Sequence, residues 1–365
     1  MSAEELPDRL RRFAESETAS SPLYSELAGR IADDTDLRAA VAALAEDFSP
    51  TFFFAAVHFV LTSHPDDALA AYYPSLGGER EPDAELSAAL MAFLSAHRDR
   101  LADVLATHDI QSNDPLRAAQ LLPALGWAQA CFGRPLGLIE VGASAGLLLH
   151  ADRYTYRYDF QDGLRLEHGD PSGLLLPCPV VGAATPKSLA PFVSKGLRVR
   201  SRVGLDLNPL DPSDPQARAW LHALVWPEDA AGRSRLEAAL ESAAQRPVRL
   251  RKGDALRILP DAVIGVQAPA VPCVFASNSL SHFPADSRTA FASLVRQLGA
   301  RHDLVLVMKE PAAAGLGLFA PDTPFSPDEE ENLAAVVFQS GRERVFSLGR
   351  AGAHGAWLDW DPRPL

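Results

Sequence analysis

The stretch "IEVGASAGLLLH", Ile139 to His150, decides the fold. It reads as a buried strand that runs into a glycine-flanked turn and then an apolar helix. Its turn, Gly142, Ala143, Ser144, Ala145 and Gly146, admits two chemistries. It matches the G-x-S-x-G elbow that presents a nucleophilic serine on a tight strand-to-helix turn. It matches equally a loop whose backbone N–H groups face a ligand at a helix N-terminus, where glycine permits close approach. The residues on either side are what separate the two.

The chain has 365 residues, of which 47% are hydrophobic and 22% charged. That is a globular composition, with length for one large domain or two ordinary ones. A net charge of -13 excludes the basic footprint that a nucleic acid or an anionic membrane requires, so neither is expected as a partner. The cysteines Cys131, Cys178 and Cys273 are scattered without metal-ligand spacing. No metal site or disulfide framework follows from them, and a cytoplasmic location does. The first residues, "MSAEELPDRLRRFAES", lack the apolar centre of a signal peptide. The apolar run Phe52 to Leu61 has about half of the ~20 residues that a membrane helix needs.

Organisation follows from hydrophobic periodicity. As far as about Gly126, "LYSELAGRIADD", "LRAAVAALAEDF" and "LSAALMAFLSAHRDRLADVLATH" carry Ala and Leu at helical spacing, which predicts an all-helical N-terminal domain over 1–130. From 131 to 365 the texture becomes apolar strand-length runs alternating with helical ones, the signature of an α/β domain with a mostly parallel sheet. Its strands are "LGLIEVG", "RVRSRVGLDL", "VRLRKGD", "PCVFASN" and "DLVLVMKE". "LAAVVFQSGRERVFSLGR" adds a terminal antiparallel hairpin around Ser-Gly. The Pro/Gly-rich region at about 155–198 is too long for a connection and reads as an insertion above the strand ends.

Open parallel sheets bind ligands beyond the carboxyl ends of their strands. The residues there are Glu140, Gly142, Ser144 and Gly146 on the first strand, and Asp206 with Leu207 on the second. Asp254 with Ala255 follow the third; Ser277, Asn278, Ser281 and His282 follow the fourth. Asp206 suits the two hydroxyls of a ribose, and Asp254 the exocyclic amine of adenine. Such acids repel a pyrophosphate and suit a sugar, an adenine and a cationic tail near Glu140. S-adenosylmethionine combines those parts without a phosphate. A dinucleotide would need G-x-G-x-x-G with an acid about 20 residues on, a pattern this turn lacks. As bland roles, Ser144, Asp206 and Asp254 would be helix or turn caps, and His282 a packed residue beside Phe283.

The E-x-G-x-S-x-G turn with the "GLDLNP" and "GDA" strand ends resembles class I S-adenosylmethionine-dependent methyltransferases. "QSNDPLRAAQLLPAL", "LIEVGASAGLLLHADRYTYRY", "DLNPLDP", "ALVWPE" and "AHGAW" together are similar to an uncharacterised bacterial and archaeal family, a domain of unknown function. The resemblance covers nearly the whole chain. It implies a Rossmann-like class I methyltransferase fold and methyl transfer to a small molecule, without naming the acceptor. Where that family tends to carry Asn, this chain has Leu148. His282 and Tyr154 are the candidate catalytic residues; Tyr154, Tyr156 and Tyr158 alternate on one face of a strand, a pattern of core as much as of a pocket. In "QSND" Asp114 reads as the cap of the helix that starts at Pro115, with Gln111 and Asn113 directed at the site mouth. Two alternatives stay open: a non-catalytic protein that binds S-adenosylmethionine or a nucleoside, and a serine hydrolase. The hydrolase would use Ser144 with Asp254 and His282, or with Asp303 and His354, although no oxyanion-hole stretch precedes the serine.

Overall fold

The computed structural model describes residues 6–17, 21–44, 49–111, 113–323 and 332–365. They fall into two compact units, Met1–Ser112 with Ser213–Glu237, and Asn113–Pro212 with Ala238–Leu365.

In the first unit the regular elements among the described residues are helices, joined by turns and loops; the end of "LRAAVAALAEDF" lies outside the described residues. Its helices are α1 (Leu6–Arg12), α2 (Pro22–Asp33), α3 (Thr35–Ala42), α4 (Pro50–Leu61), α5 (Leu86–Ala96) and α6 (Arg98–Thr107). The segment 213–237 joins them through its own helical stretch. Ser21 caps α2, with Pro22 at the first helical position, where its missing N–H costs nothing. The carboxylate of Glu228 accepts from the Ser21 hydroxyl at 2.7 Å and from the Leu23 N–H at 2.9 Å, and so ties the "ALVWPE" motif to the start of that helix. Trp226 packs with Phe13 and Tyr24 in one aromatic cluster. The apolar run that begins at Phe52 is a helix buried in this unit. No helix among the described residues is long and apolar enough to cross a membrane.

The second unit is mixed α/β, built on a large, mostly parallel sheet. Its strands are β1 (Leu136–Val141), β2 (Thr155–Phe160), β3 (Arg165–His168), β4 (Leu175–Val181), β5 (Val199–Asp206), β6 (Arg249–Lys252), β7 (Val271–Ser277), β8 (Leu304–Glu310), β9 (Asn332–Gln339), β10 (Arg342–Ala351) and β11 (Leu358–Pro364). The helices continue as α7 (Arg117–Phe132), α8 (Pro186–Val193), α9 (Pro215–Ala223), which belongs to the first unit, α10 (Ala230–Gln245), which begins there, α11 (Ala255–Ile264) and α12 (Ala285–Gly299). The sheet order is β3-β2-β4-β11-β10-β9-β8-β7-β1-β5-β6. From β6 to β8 every neighbouring pair is parallel, whereas β8, β9, β10 and β11 form an antiparallel meander. Ser340 and Gly341, both left-handed, turn the predicted hairpin between β9 and β10.

Strand order reverses between β1 and β7, because β5 and β6 lie on one side of β1 and β7 and β8 on the other. On one face α11 and α12 bury Ile139, Val141, Val274, Leu304 and Leu306. Helix α7 has the other face, and it packs against β4, β7, β8 and β9 alike. Strands five places apart would be about 24 Å apart in a flat sheet, at about 4.8 Å per strand, so the sheet curls around α7. That explains why α7 is buried nearly all round. At Gly126 a Cβ would lie 1.8 Å from the Phe192 carbonyl oxygen, so glycine sets the closeness of α7 and α8.

Two sequence expectations are corrected here. The region 155–198, read as an insertion above the strand ends, instead contributes β2, β3 and β4, which extend the sheet itself, β4 pairing parallel with β11. Ala145 to Tyr154 is not a helix but a short 3-10 turn, Leu147–His150. Its carbonyls find other donors, the Tyr154 hydroxyl at Leu147 (2.8 Å), Arg202 at Leu149 (2.9 Å) and the Tyr156 hydroxyl at Ala151.

Candidate functional site

Since β1, β5, β6, β7 and β8 are parallel, their carboxyl ends share one edge, and the β1/β7 reversal is the place at which open sheets of this kind bind ligands. Glycine allows the turn after β1. Gly142 has φ +76° and donates its N–H to the Leu205 carbonyl at 2.9 Å. The place of its missing Cβ is taken by Ser279, whose Cβ would be 2.3 Å away. Ser279 in turn donates its hydroxyl to the Val141 carbonyl at 2.7 Å, which locks the ends of β1 and β7 together. Gly146, φ +72°, is crowded by Val248 and Leu250. Both glycines therefore serve protein packing in the turn itself.

Ser144 also has a left-handed φ of +47°. Its N–H donates to Asp206 at 2.8 Å, and its buried hydroxyl accepts from the side-chain amide of Asn113. Asn113 of the "QSND" run is thus joined to the turn after β1; Ser112 of the same motif lies outside the described residues. Asp206 uses its second oxygen to accept the Asn208 N–H at 2.8 Å. It thus braces the turns after β1 and β5, and each oxygen keeps a further lone pair for a ligand. Asp206→Ala is expected to cost about 1–3 kcal/mol in urea denaturation, since it leaves two amides without their charged acceptor. Unchanged stability would mean that the backbone alone holds the turn.

Beside Asp206, Leu207 is 64% exposed, an apolar side chain held in solvent at the strand end. Asp254 caps α11 through the Leu256 N–H at 2.9 Å, and Ala255 is buried beneath it. The cap role of Asp254 is therefore met, and its exposed carboxylate still borders the edge.

Glu140 points away from Ile139 and Val141, to the α7 face, as alternation requires. It is 2% exposed, and its Oε2 is buried with no hydrogen-bond partner among the described residues. Burial raises its carboxyl well above the usual range, against the pull of the Arg117 guanidinium, with Asp206 adding to the rise.

Across the reversal, sequence reading named Ser277, Asn278 and Ser281 but missed the charged groups that hold them, Arg117, Lys309 and Glu310. Arg117, 5% exposed at the start of α7, donates to the Ser277 carbonyl at 2.7 Å. Asn278, φ +56°, donates its N–H to the Lys309 carbonyl at 3.0 Å and accepts from Lys309 Nζ at 3.1 Å. Glu310 accepts the backbone N–H groups of Ser279 (2.8 Å), Leu280 (3.0 Å) and Ser281 (3.3 Å), which fixes the turn after β7. Burial raises the Glu310 carboxyl, and those three N–H groups and Lys309 oppose the rise. The "AHGAW" motif closes on the same place: Gln120 donates to the carbonyls of Gly352 (2.8 Å) and Trp357 (2.7 Å), and Gly355 abuts Leu116. Three of the four left-handed non-glycine residues described, Ser144, Asn278 and His354, belong to these segments. Strain of that kind gathers at functional sites.

The candidate catalytic residues fare less well. Tyr154 is 2% exposed with its hydroxyl committed to Leu147, and burial raises its phenol. Tyr156 and Tyr158 stack and are buried too, so this face is core. His282 is exposed, and no described hydrogen bond joins it to Ser144 or Asp254. Asp303 pairs with Arg134 at 3.0 Å ahead of β8 and β1, at the sheet edge opposite Ser144. Among the described residues no group of three or more metal-binding side chains occurs.

A family model described as an uncharacterized protein conserved in bacteria, DUF2332, matches residues 7–360. No curated protein matches the chain.

Proposed function

We propose that this chain, which belongs to the uncharacterised bacterial family DUF2332, is an S-adenosylmethionine-dependent methyltransferase of small molecules with a Rossmann-like class I fold. The parallel strands β6-β5-β1-β7-β8 run in the order third, second, first, fourth, fifth along the chain, which supports a doubly wound sheet of that kind. The observation that carries the ligand is the unpartnered Oε2 of Glu140. A buried carboxyl oxygen costs free energy unless something bonds it, and a cationic group at the β1 end would do so. Asp206 has lone pairs for ribose hydroxyls, and the exposed Leu207 offers an apolar surface for a purine. Asp254 borders the purine edge, and Gly142, Ser144, Gly146, Ala255, Ser277 and Asn278 frame the crevice.

When bound, S-adenosylmethionine supplies a methyl group already activated by its sulfonium. The protein's share is alignment and exclusion of water. Glu140 and Asp206 answer the positive charge, and the turns pinned by Ser279 and Glu310 keep the geometry fixed.

Calorimetry with S-adenosylmethionine and S-adenosylhomocysteine tests this reading. Because Glu140 is raised in the free protein, a cationic ligand should ionise it and release a proton. The binding enthalpy should then vary with the ionisation heat of the buffer. Glu140→Gln should lose that dependence and bind about tenfold or more weakly, the worth of a hydrogen bond to a charged group. Silence from both ligands at millimolar concentration overturns the reading. Binding without methyl transfer to any small acceptor would leave a sensor of the ligand. Labelling of Ser144 by a fluorophosphonate would point to a hydrolase, although the Ser144 hydroxyl is bonded to Asn113.

A further inference from the structure

Lys309 has no part in the reading above, yet its place is unusual. It is 0% exposed, on the last turn of pleat before the carboxyl end of β8, across the strand reversal from Glu140. Asn278 holds it twice, by backbone and by side chain, and does so from a left-handed conformation. Among the described residues, the charged and titratable groups that act on it are Arg117 of α7, Asp114 just before α7, Glu310 of the same strand, and His354 of the turn after β10. Glu310 is already bonded to the amides of Ser279, Leu280 and Ser281. A lysine carries a compact, strongly hydrated charge and is a poor choice for a mere brace in such a place; buried lysines serve well as bases. Burial and Arg117 pull its ammonium down to about 7, with Glu310 and Asp114 opposing.

We propose that Lys309 takes the proton from a small-molecule amine bound beside the β7 and β8 ends, an inference that rests on the methyl-transfer reading. The acceptor class follows from charge. Asp114 and Asp206 are carboxylates near this place, and Glu140 and Glu310, whose carboxyls burial raises, ionise more readily beside a positive charge; the set favours a cation over an anion, and an ammonium ion is a cation that must lose a proton before its nitrogen is nucleophilic. In the step, the N–H bond of the ammonium breaks, its electron pair stays on the substrate nitrogen, and the proton joins the lone pair of Lys309 Nζ. The lysine ammonium returns the proton to solvent after the product leaves. Carboxylate or thiolate acceptors would need no such base.

Two readouts test the assignment. In calorimetry from pH 6 to 8.5, affinity for S-adenosylmethionine should rise about three- to tenfold with pH through about 7, as the like charge on Lys309 disappears; S-adenosylhomocysteine, without a sulfonium, should rise less. Ionisation of Glu140 adds a rise of the same sign, so the comparison is made in a Glu140→Gln background, where Lys309→Met should flatten the difference that remains. His354 is pushed below its usual range, so its titration falls lower than this window. In the second readout, with labelled S-adenosylmethionine and a panel of primary and secondary amines, transfer should show an apparent pKa near 7. Lys309→Arg retains the charge and a donor to Asn278 but cannot be deprotonated; it should fold, bind S-adenosylhomocysteine, and lose transfer at every pH. Should Lys309→Met prove unstable, Lys309→Arg alone decides. A pH difference unchanged in both variants, or transfer retained in Lys309→Arg, overturns the lysine while leaving the methyl-transfer reading in place. Failure of the wild type to bind either ligand at any pH overturns both.

Discussion

Arg117→Met is expected to destabilise the sheet-bearing unit by about 3–5 kcal/mol, the range for breaking a buried ion cluster on one side. The guanidinium lies at 5% exposure among Glu140, Glu310 and Asp114, and it also bonds the Ser277 carbonyl. Methionine fills most of the volume, so the loss reports charge and hydrogen bonding more than a cavity. The effect should depend on pH with a definite sign. Glu140 and Glu310 have carboxyls raised in the folded protein above their ordinary 4.5. Their stabilising contribution is present below that value and is lost as pH rises through the folded pKa. Without Arg117 the rise is larger and the loss steeper. Denaturant unfolding should therefore show a greater difference between wild type and Arg117→Met at pH 8 than at pH 5. Equal differences at the two pH values would show that Arg117 does not compensate these carboxyls.

Gly142→Val is expected to be nearly as damaging, at roughly 2–6 kcal/mol. A β-branched residue at φ +76° pays about 1–3 kcal/mol for the backbone, and its Cβ within 2.3 Å of Ser279 pays about 1–3 kcal/mol for overpacking. The same displacement breaks the Ser279 to Val141 hydrogen bond that joins β1 to β7. Ser144→Ala, by contrast, loses a side-chain bond to Asn113 and keeps the N–H that meets Asp206, a cost of about 1 kcal/mol. Thermal unfolding followed by circular dichroism should rank Gly142→Val far below Ser144→Ala. The reverse ranking would contradict the packing described at the turn.

The strand β1 and its turn were legible because a short apolar run followed by positive-φ glycines has few other solutions. The helix read after them was not there. Nothing local shows that the hydroxyls of Tyr154 and Tyr156, and the guanidinium of Arg202, satisfy carbonyls that a helix would otherwise bond. Similarly, "LLPCPVV" becomes a strand because β2 and β11, the latter far along the chain, pair with it on its two sides. Prolines at 177 and 179 hide that pairing in a Pro/Gly-rich stretch. Within the site, acids at strand ends announced themselves by position, and the polar "QSND" run drew attention to Asn113. Arg117 and Lys309 did not, for an arginine in an Ala-rich helix and a lysine after "LVLVM" look like residues bound for solvent. A signal existed in "MKE": adjacent charges at the end of an otherwise apolar parallel strand, with Lys309 in register with Ser277.

The division of the chain into units has a consequence for how the protein is made. The helices of Met1–Ser112 form a unit with Ser213–Glu237, and the hundred residues Asn113–Pro212 between them belong elsewhere. At a synthesis rate of about 5–20 residues per second, the first helices wait on the order of 5–20 seconds at the ribosome before Trp220 and Trp226 arrive to cover Phe59 and Tyr24. During that wait their aromatic side chains are uncovered and sticky. A nascent chain halted near residue 210 should therefore be captured by a holdase chaperone, and one halted beyond residue 245 released from it.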